Sequence, residues 1–202
     1  MGATVRVKRS YWLGLTGLLV SVALWAYCRA RPGMFNESFW EHAHCIVQAG
    51  GTLQNYAEAH AGRFPHDVRG YGHALLLLPA DSPWYALTGP GYDGQVLARA
   101  KRGEHGISEA ECGRVYVQGL RLDSNPEVAL LFDNVPTPGG DHCHFLGRLW
   151  APYGREVLLV DGSHGFIPEA EWPAFARRQV ELLVAEGFAH AEAERLYGLS
   201  RS

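Results

Sequence analysis

The fold is decided by a short apolar stretch interrupted by turn residues, Val157-Leu158-Leu159-Val160-Asp161-Gly162-Ser163-His164-Gly165-Phe166-Ile167. Its centre suits a tight hairpin, because Gly accepts a positive φ and Asp hydrogen-bonds to its own local backbone. Asp161 and His164 flank the turn and could instead act as an acid–base pair or hold a cation. Turn chemistry alone accounts for Asp-Gly-Ser, so the stretch predicts an antiparallel hairpin.

Two further apolar runs lie upstream, at residues 115–117 and 128–132, and both are bounded by turn residues. Short apolar runs of this kind are typical of buried strands. No pattern long enough for a crossover helix separates the runs, and parallel strands need such a crossover. The sequence therefore predicts a small antiparallel meander within an α+β domain.

A helix is expected before the sheet, over residues 38–60, where Ser38 and Glu41 form a capping-box pattern and Leu53 faces inward. Gly50 and Gly51 stand in its middle. Each Gly costs about 1 kcal/mol relative to Ala in a helix, so a packing reason for them is expected.

Other helices are expected on both sides of the sheet. Short helical stretches are predicted over 73–78, near 95–102 and over 189–197, with residues 80–113 otherwise forming loops. A longer helix begins near Pro173 and ends at Gly187. Its apolar stripe at helical spacing consists of Trp172, Ala176, Val180, Leu183 and Val184.

The N-terminal part contains an uncharged, apolar run from Ser10 to Cys28. A helix of this length reaches roughly 28 Å, close to the hydrocarbon thickness of a bilayer. Aromatic residues stand at both ends of the run, and basic residues outnumber acidic ones before it, which places the N-terminus in the cytoplasm. A cleavable signal, with a shorter apolar region of ~7–15 residues, is the alternative.

These patterns divide the chain into five parts. We expect a cytoplasmic tip at 1–9, a transmembrane helix at 10–28, a linker at 29–35, an α+β domain at 36–167 and a C-terminal helical extension at 168–202. The protein would then cross the inner (cytoplasmic) membrane once, with its C-terminal domain outside the cytoplasm.

The composition excludes several classes of protein. The chain has 202 residues, 47% of them hydrophobic and 19% charged, with a net charge of −3, which is too apolar for a disordered chain. Residues 29–202 hold 15 basic and 21 acidic side chains, a net of −6, which argues against nucleic acid as a partner. Four cysteines are too few for a disulfide-dense scaffold.

Two motifs resemble bacterial prepilin-like exported proteins of the secretion-protein-G type. The first is Gln48-x-Gly50-x-x-Leu53-Gln54-Asn55-Tyr56 followed by Gly62-Arg63-Phe64-Pro65, and the second is the 157–167 hairpin. The resemblance implies a helix packed on a small antiparallel sheet, as in type IV pilins and type II secretion pseudopilins. It also implies a non-catalytic structural or interaction role in the cell envelope, with the lipid bilayer and other envelope proteins as partners.

The chain departs from that family in three ways. It has no prepilin peptidase site before the apolar run, Pro32-Gly33 interrupts the helix, and the family's His before the hairpin has no counterpart at the usual spacing. We therefore expect a protein that stays anchored in the membrane rather than a filament subunit.

Metal binding is the alternative function. Asp141-His142-Cys143-His144 is the densest polar cluster, and His42-x-His44-Cys45 has a similar composition of His and Cys. Imidazole and thiolate are ligands for zinc, so His142, Cys143, His144 and His42 are the candidate residues of an exported metal- or small-ligand-binding module, which could be a zinc enzyme. The spacing matches no standard zinc module. Calcium is a weaker alternative, with Asp81, Asp93 and Asp123 as loop carboxylates.

The cysteines allow one disulfide in the exported part, and Cys112 with Cys143 is the preferred pair because both lie beside predicted strands. No Gly-x-Ser-x-Gly, phosphate-binding loop or Cys-x-x-Cys occurs in the sequence. We therefore expect no enzymatic activity and no cofactor.

Overall fold

The computed structural model describes residues 16–23, 25–26, 46–79, 81–82, 87, 89, 98–100, 102–104, 106–138 and 152–199. Within these residues the chain forms an α+β fold, as predicted. The helices are α1 (Ile46–Ala59), α2 (Tyr71–Leu75), α3 (Trp172–Ala185) and α4 (His190–Leu196), with a 3₁₀ turn at Glu109–Glu111. The strands are β1 (Arg114–Tyr116), β2 (Ala129–Asp133), β3 (Thr137–Pro138), β4 (Tyr153–Leu159) and β5 (His164–Pro168).

The strands form one antiparallel sheet, which confirms the predicted meander. β1 pairs with β2, and β4 pairs with β2, β3 and β5. β5 pairs with β4 from Gly154 to Leu158, which leaves β2 and β3 on the opposite edge, end to end. The sheet is therefore four strands wide, and the two-residue β3 continues the line of β2. β3 was not predicted.

The predicted hairpin is β4–β5. The Gly162 amide donates to the Leu159 carbonyl oxygen at 3.0 Å, and the Leu159 amide donates to the Ser163 carbonyl oxygen at 2.8 Å. Gly162 has a φ of 84°, the left-handed conformation that Gly adopts without strain. The predicted position of the turn is therefore confirmed.

The helices cover opposite faces of the sheet. Alternate residues of a strand point to opposite faces, so Leu158 and Val157 of β4 face apart. α1 approaches Leu158 through Gly50. Phe132, the register partner of Val157, contacts Trp172 at the start of α3 and Tyr197 after α4. The protein therefore has three layers, with α1 on one face of the sheet and the α3–α4 pair on the other.

The C-terminal helices belong to the same hydrophobic core as the sheet. Their buried apolar residues are Trp172, Ala176, Val180, Leu183, Ala193 and Tyr197. Val184, predicted to be part of the inward stripe, is 41% exposed instead. Its position lies one residue beyond Leu183, at the edge of the buried face, where the helical period turns the side chain toward solvent.

Gly50 marks the closest approach of α1 to the sheet. A Cβ at this position would lie 2.8 Å from Leu158 Cδ1, and both residues are buried. Gly51 has nothing within 4 Å of its Cβ position and is exposed. The predicted packing reason therefore holds for Gly50 and not for Gly51.

The N-terminal run is described in part. Residues 16–23 and 25–26 are helical, and their apolar side chains are exposed, among them Leu18, Leu19 and Val20 at 60–61%. The rest of 10–28, with the tip and the linker, lies outside the described residues. Over the ranges that the structure covers, no helix has the length and apolar character needed to cross a membrane.

The two neighbouring glycines of α1 should respond oppositely to Ala. Gly50→Ala should lower the free energy of unfolding by up to about 2 kcal/mol, because overpacking costs about 1–3 kcal/mol against a gain of about 1 kcal/mol in helix propensity. Gly51→Ala, the matched control, should raise it by about 0.5–1 kcal/mol. Denaturant unfolding of the purified chains measures both. Equal effects of the two substitutions would contradict the tight α1–β4 contact.

Candidate functional site

The predicted metal ligands fall outside the described part of the chain. This holds for His42, His142, Cys143 and His144, and for Asp93 among the calcium candidates. Asp123 is described, and its carboxylate pairs with Arg121 at 2.9 Å. Among the residues that the structure describes, no three His, Cys, Asp or Glu side chains are grouped to hold a metal ion. Zinc and calcium therefore stay predictions.

Asp161 serves the hairpin turn. Its carboxylate accepts hydrogen bonds from the Ser163 amide at 2.8 Å and from the Ser163 hydroxyl at 2.6 Å. These bonds favour the charged form and lower the pKa of Asp161. His164 is exposed at the start of β5, paired in register with Leu158. The interpretation of Asp161 as a turn residue is therefore confirmed.

Cys112 is a buried thiol at the entrance to β1, 3% exposed. Burial, with a smaller contribution from the nearby carboxylates of Glu111 and Glu109, raises its pKa to about 12. A thiol of this kind is a poor nucleophile at neutral pH. It has no disulfide partner among the described residues, and its predicted partner Cys143 lies outside them.

A buried charged cluster crosses three strands on the face covered by α1. Arg114 donates from Nε to Asp133 Oδ1 at 2.9 Å, and the Glu156 amide donates to Asp133 Oδ2 at 3.1 Å. Arg114 Nη2 lies 3.6 Å from Glu156 Oε2, and the three side chains are 1–8% exposed. Charges buried this deeply are stable only when they are paired, because removing one partner typically lowers the free energy of unfolding by about 3–5 kcal/mol. The cluster is a structural feature of the sheet.

A concave site lies on the opposite face, between the sheet and the C-terminal helices. This cleft has a volume of about 460 Å³ and is built from α2, the 3₁₀ turn, β1, β2, β4 and the region of α4. Such a volume lies in the range of small-ligand pockets. Its lining includes Tyr71, Glu109, Phe132, Asn134, Arg155, Trp172, Arg195 and Tyr197.

Arg155 and Trp172 form one wall of the cleft. The Arg155 guanidinium lies 4.4 Å from the Trp172 ring centroid, a cation–π contact. The same guanidinium pairs with Glu169 at 3.2 Å and donates to the Asn134 carbonyl oxygen at 2.5 Å. Because all these partners act on one planar group, Arg155 is held in place before any ligand arrives.

Arg195 and Tyr197 form the other wall. Arg195 pairs with Glu109 at 2.8 Å, and the Tyr71 hydroxyl donates to the Glu109 carbonyl oxygen at 3.1 Å. The Tyr197 ring stacks on Phe132 at 4.7 Å, and burial raises its pKa. The Tyr197 hydroxyl is buried and makes no hydrogen bond to any described residue. The cleft thus combines an aromatic floor with two positioned guanidinium groups.

Among the residues that the structure describes, the lining of the cleft contains no Ser, Cys, His or Lys. Aromatic faces beside arginines accommodate a flat or apolar group together with an anionic or carbonyl oxygen.

Sequence reasoning missed this cleft. The sequence analysis predicts Trp172 as part of the core stripe and gives Arg155 no role. The sequence signal for Arg155 was its position directly before a run of buried strand residues. No local pattern joins it to Tyr197, because the two residues reach the same cleft only when α4 folds back over the sheet.

The chain matches no family model, no curated protein and no solved structure.

The metal prediction can be tested directly on the purified full-length chain. We expect less than about 0.1 zinc, copper or calcium ion per chain after mild purification, measured by elemental analysis. A closed structural zinc site binds too tightly to be lost in this way, so near-stoichiometric zinc would support a site built from His42, His142, Cys143 and His144. His142→Ala with His144→Ala would then remove the metal.

Cys112 should be unreactive in the folded chain. In a variant that keeps only this cysteine (Cys28→Ser, Cys45→Ser, Cys143→Ser), a pKa of about 12 leaves roughly one thiolate in ten thousand at pH 8. We expect maleimide to label Cys112 only after denaturant is added, and mass spectrometry measures the labelling. Fast labelling of the native variant would contradict the burial, and a Cys112–Cys143 peptide from the wild-type chain would confirm the predicted disulfide.

Proposed function

We propose that the chain is a membrane-anchored, pilin- or pseudopilin-like interaction protein of the bacterial cell envelope, without catalytic activity. It would cross the inner membrane once, through residues 10–28, and hold its α+β domain outside the cytoplasm. The observation that carries the proposal is the packing of its two prepilin-like motifs against each other.

The two motifs meet between α1 and the β4–β5 hairpin. Gly50 of the first motif lies against Leu158 of the second, and a Cβ on Gly162 would lie 2.3 Å from Gln54 Nε2. Small residues at these two points let the helix approach the hairpin closely. A motif pair that forms one interface supports a common origin with proteins in which a helix packs on such a sheet.

The second half of the first motif is also used in packing. Phe64 is buried, and the Pro65 carbonyl oxygen accepts a hydrogen bond from the buried Tyr116 hydroxyl at 2.8 Å. Tyr116 belongs to β1, so this bond ties the segment after α1 to the far strand of the sheet. Phe64 and Pro65, two of the residues quoted for the resemblance, therefore form structural contacts.

The anchor is supported by the N-terminal run. It has no charge from Ser10 to Cys28, aromatic residues at both ends and basic residues before it. Its described residues are helical and expose their apolar side chains. Apolar side chains exposed on a helix are favourably accommodated by lipid.

The α3–α4 layer limits the surfaces of the domain to which a partner can bind. It covers the sheet face that α1 leaves open, through the Phe132, Trp172 and Tyr197 cluster. Because both faces are covered, partner proteins would meet the rim of the domain, where the cleft of Arg155 and Trp172 opens. Aromatic residues and Arg are the side chains most enriched at the energetic centres of protein interfaces.

The anchor can be tested in the full-length chain with charge substitutions. In a Gram-negative host we expect the wild-type chain in the membrane pellet after an alkaline carbonate wash. Leu19→Arg with Val22→Arg should move it to the soluble fraction, since each Arg near the centre of the helix costs about 2.5–3.5 kcal/mol on insertion.

Val135→Arg with Val184→Arg is the matched control, because both valines are exposed on the folded domain. This control should stay in the pellet, and added protease should remove a C-terminal tag from spheroplasts. A wild-type chain found in the soluble fraction would overturn the anchor. Its N-terminal sequence would then show whether the apolar run had been cleaved as a signal.

A further inference from the structure

A second concave site lies away from the cleft, where the segment after α1 crosses the loop after β1. We call it the basic groove. It has a volume of about 260 Å³ and is lined by Arg63, Phe64, His66, Gly119, Leu120 and Arg121. Two arginines and a histidine thus share a small depression in a part of the chain, 29–202, whose net charge is −6.

Arg63 and Arg121 are brought together by the backbone. They are partners in an antiparallel β-bridge, and the Leu122 amide donates to the Gly62 carbonyl oxygen at 2.9 Å beside it. Partners in such a bridge have Cα atoms about 4.5–5.5 Å apart. Like charges directly opposite each other destabilise a strand pair. The fold nevertheless places two positively charged residues opposite each other on the backbone.

Local structural roles account for one of the two arginines. Arg121 pairs with Asp123 at 2.9 Å and donates from Nη2 to the Ala61 carbonyl oxygen at 3.4 Å, near the C-terminal end of α1. Arg63 and His66 are exposed, and their side chains make no hydrogen bond or ion pair within the described residues. Asp67, the nearest acidic residue along the chain, is already paired with Arg69 at 2.7 Å.

The floor of the groove is rigid. Phe64 and Leu120 are each 2% exposed, and the Tyr116 hydroxyl holds the Pro65 carbonyl oxygen at 2.8 Å. Gly119, with a φ of 96°, contributes only backbone to the lining. The cationic groups therefore stand over a preformed cavity rather than on a mobile loop.

We propose that the basic groove binds a phosphate dianion, either free or as a monoester on a small molecule. The Arg63 guanidinium offers several donors in the planar geometry that matches phosphate oxygens, and Arg121, already paired with Asp123, adds further donors beside it. A carboxylate or a phosphodiester carries one charge, so its attraction to these cationic groups is weaker than that of a dianion. The groove is independent of the membrane anchor proposed above.

The test uses the purified full-length chain at low salt, titrated with inorganic phosphate, glycerol phosphate and dimethyl phosphate in a calorimeter. We expect saturable binding of the two dianions and at least about tenfold weaker binding of the diester. Arg63→Gln should weaken phosphate binding by about tenfold, the order expected for loss of one charge-assisted hydrogen bond. Arg178→Gln is the matched control, since Arg178 is an exposed arginine that pairs with Glu127 and does not line the groove.

Thermal unfolding provides a second readout that a structural role would not produce. Without phosphate, Arg63→Gln should unfold at the wild-type temperature or above it, because the like-charge repulsion is relieved. With phosphate, the wild type should be stabilised and Arg63→Gln should not. The proposal is overturned if the wild type shows no saturable phosphate binding, if Arg178→Gln weakens binding equally, or if the diester binds as tightly.

Discussion

Strand β4 is the constraint on which the rest of the structure depends. Its edges are hydrogen-bonded to β2 and β3 on one side and to β5 on the other. Its faces carry Leu158 toward α1 and Val157 toward the C-terminal helices, and both side chains are buried. Because a shift of β4 by one residue would exchange these two faces, its register fixes the position of every layer.

The buried charges reinforce that register. Arg114, Asp133 and Glu156 lie side by side on three neighbouring strands, joined by the bonds of both Asp133 oxygens. Any slipped pairing would leave charged groups buried without these partners, at a cost of several kcal/mol. Apolar residues alone would tolerate more than one pairing of such short strands. The cluster thus makes the alternative registers unfavourable, although its own burial contributes little net stability.

Much of the fold could be predicted from the sequence, because its signals are local. The hairpin turn at Asp161-Gly162-Ser163, the meander and the helices on both sides of it follow from turn residues and periodicity. The cleft could not be predicted, because Phe132, Trp172 and Tyr197 come from separate elements and meet only after the helices pack. The charged cluster was missed for the same reason. β3 has two residues and leaves no periodic signal.

The edges of the sheet limit the pairing of further strands with it. Among the described strands, β1 is three residues long and pairs only with β2. β5 pairs only with β4, and it ends at Pro168. Short edges and a Pro without an amide hydrogen are poor templates for a further strand. With helices over both faces as well, the domain presents few unpaired backbone donors to its neighbours. It is therefore built to resist edge-to-edge aggregation at high local concentration.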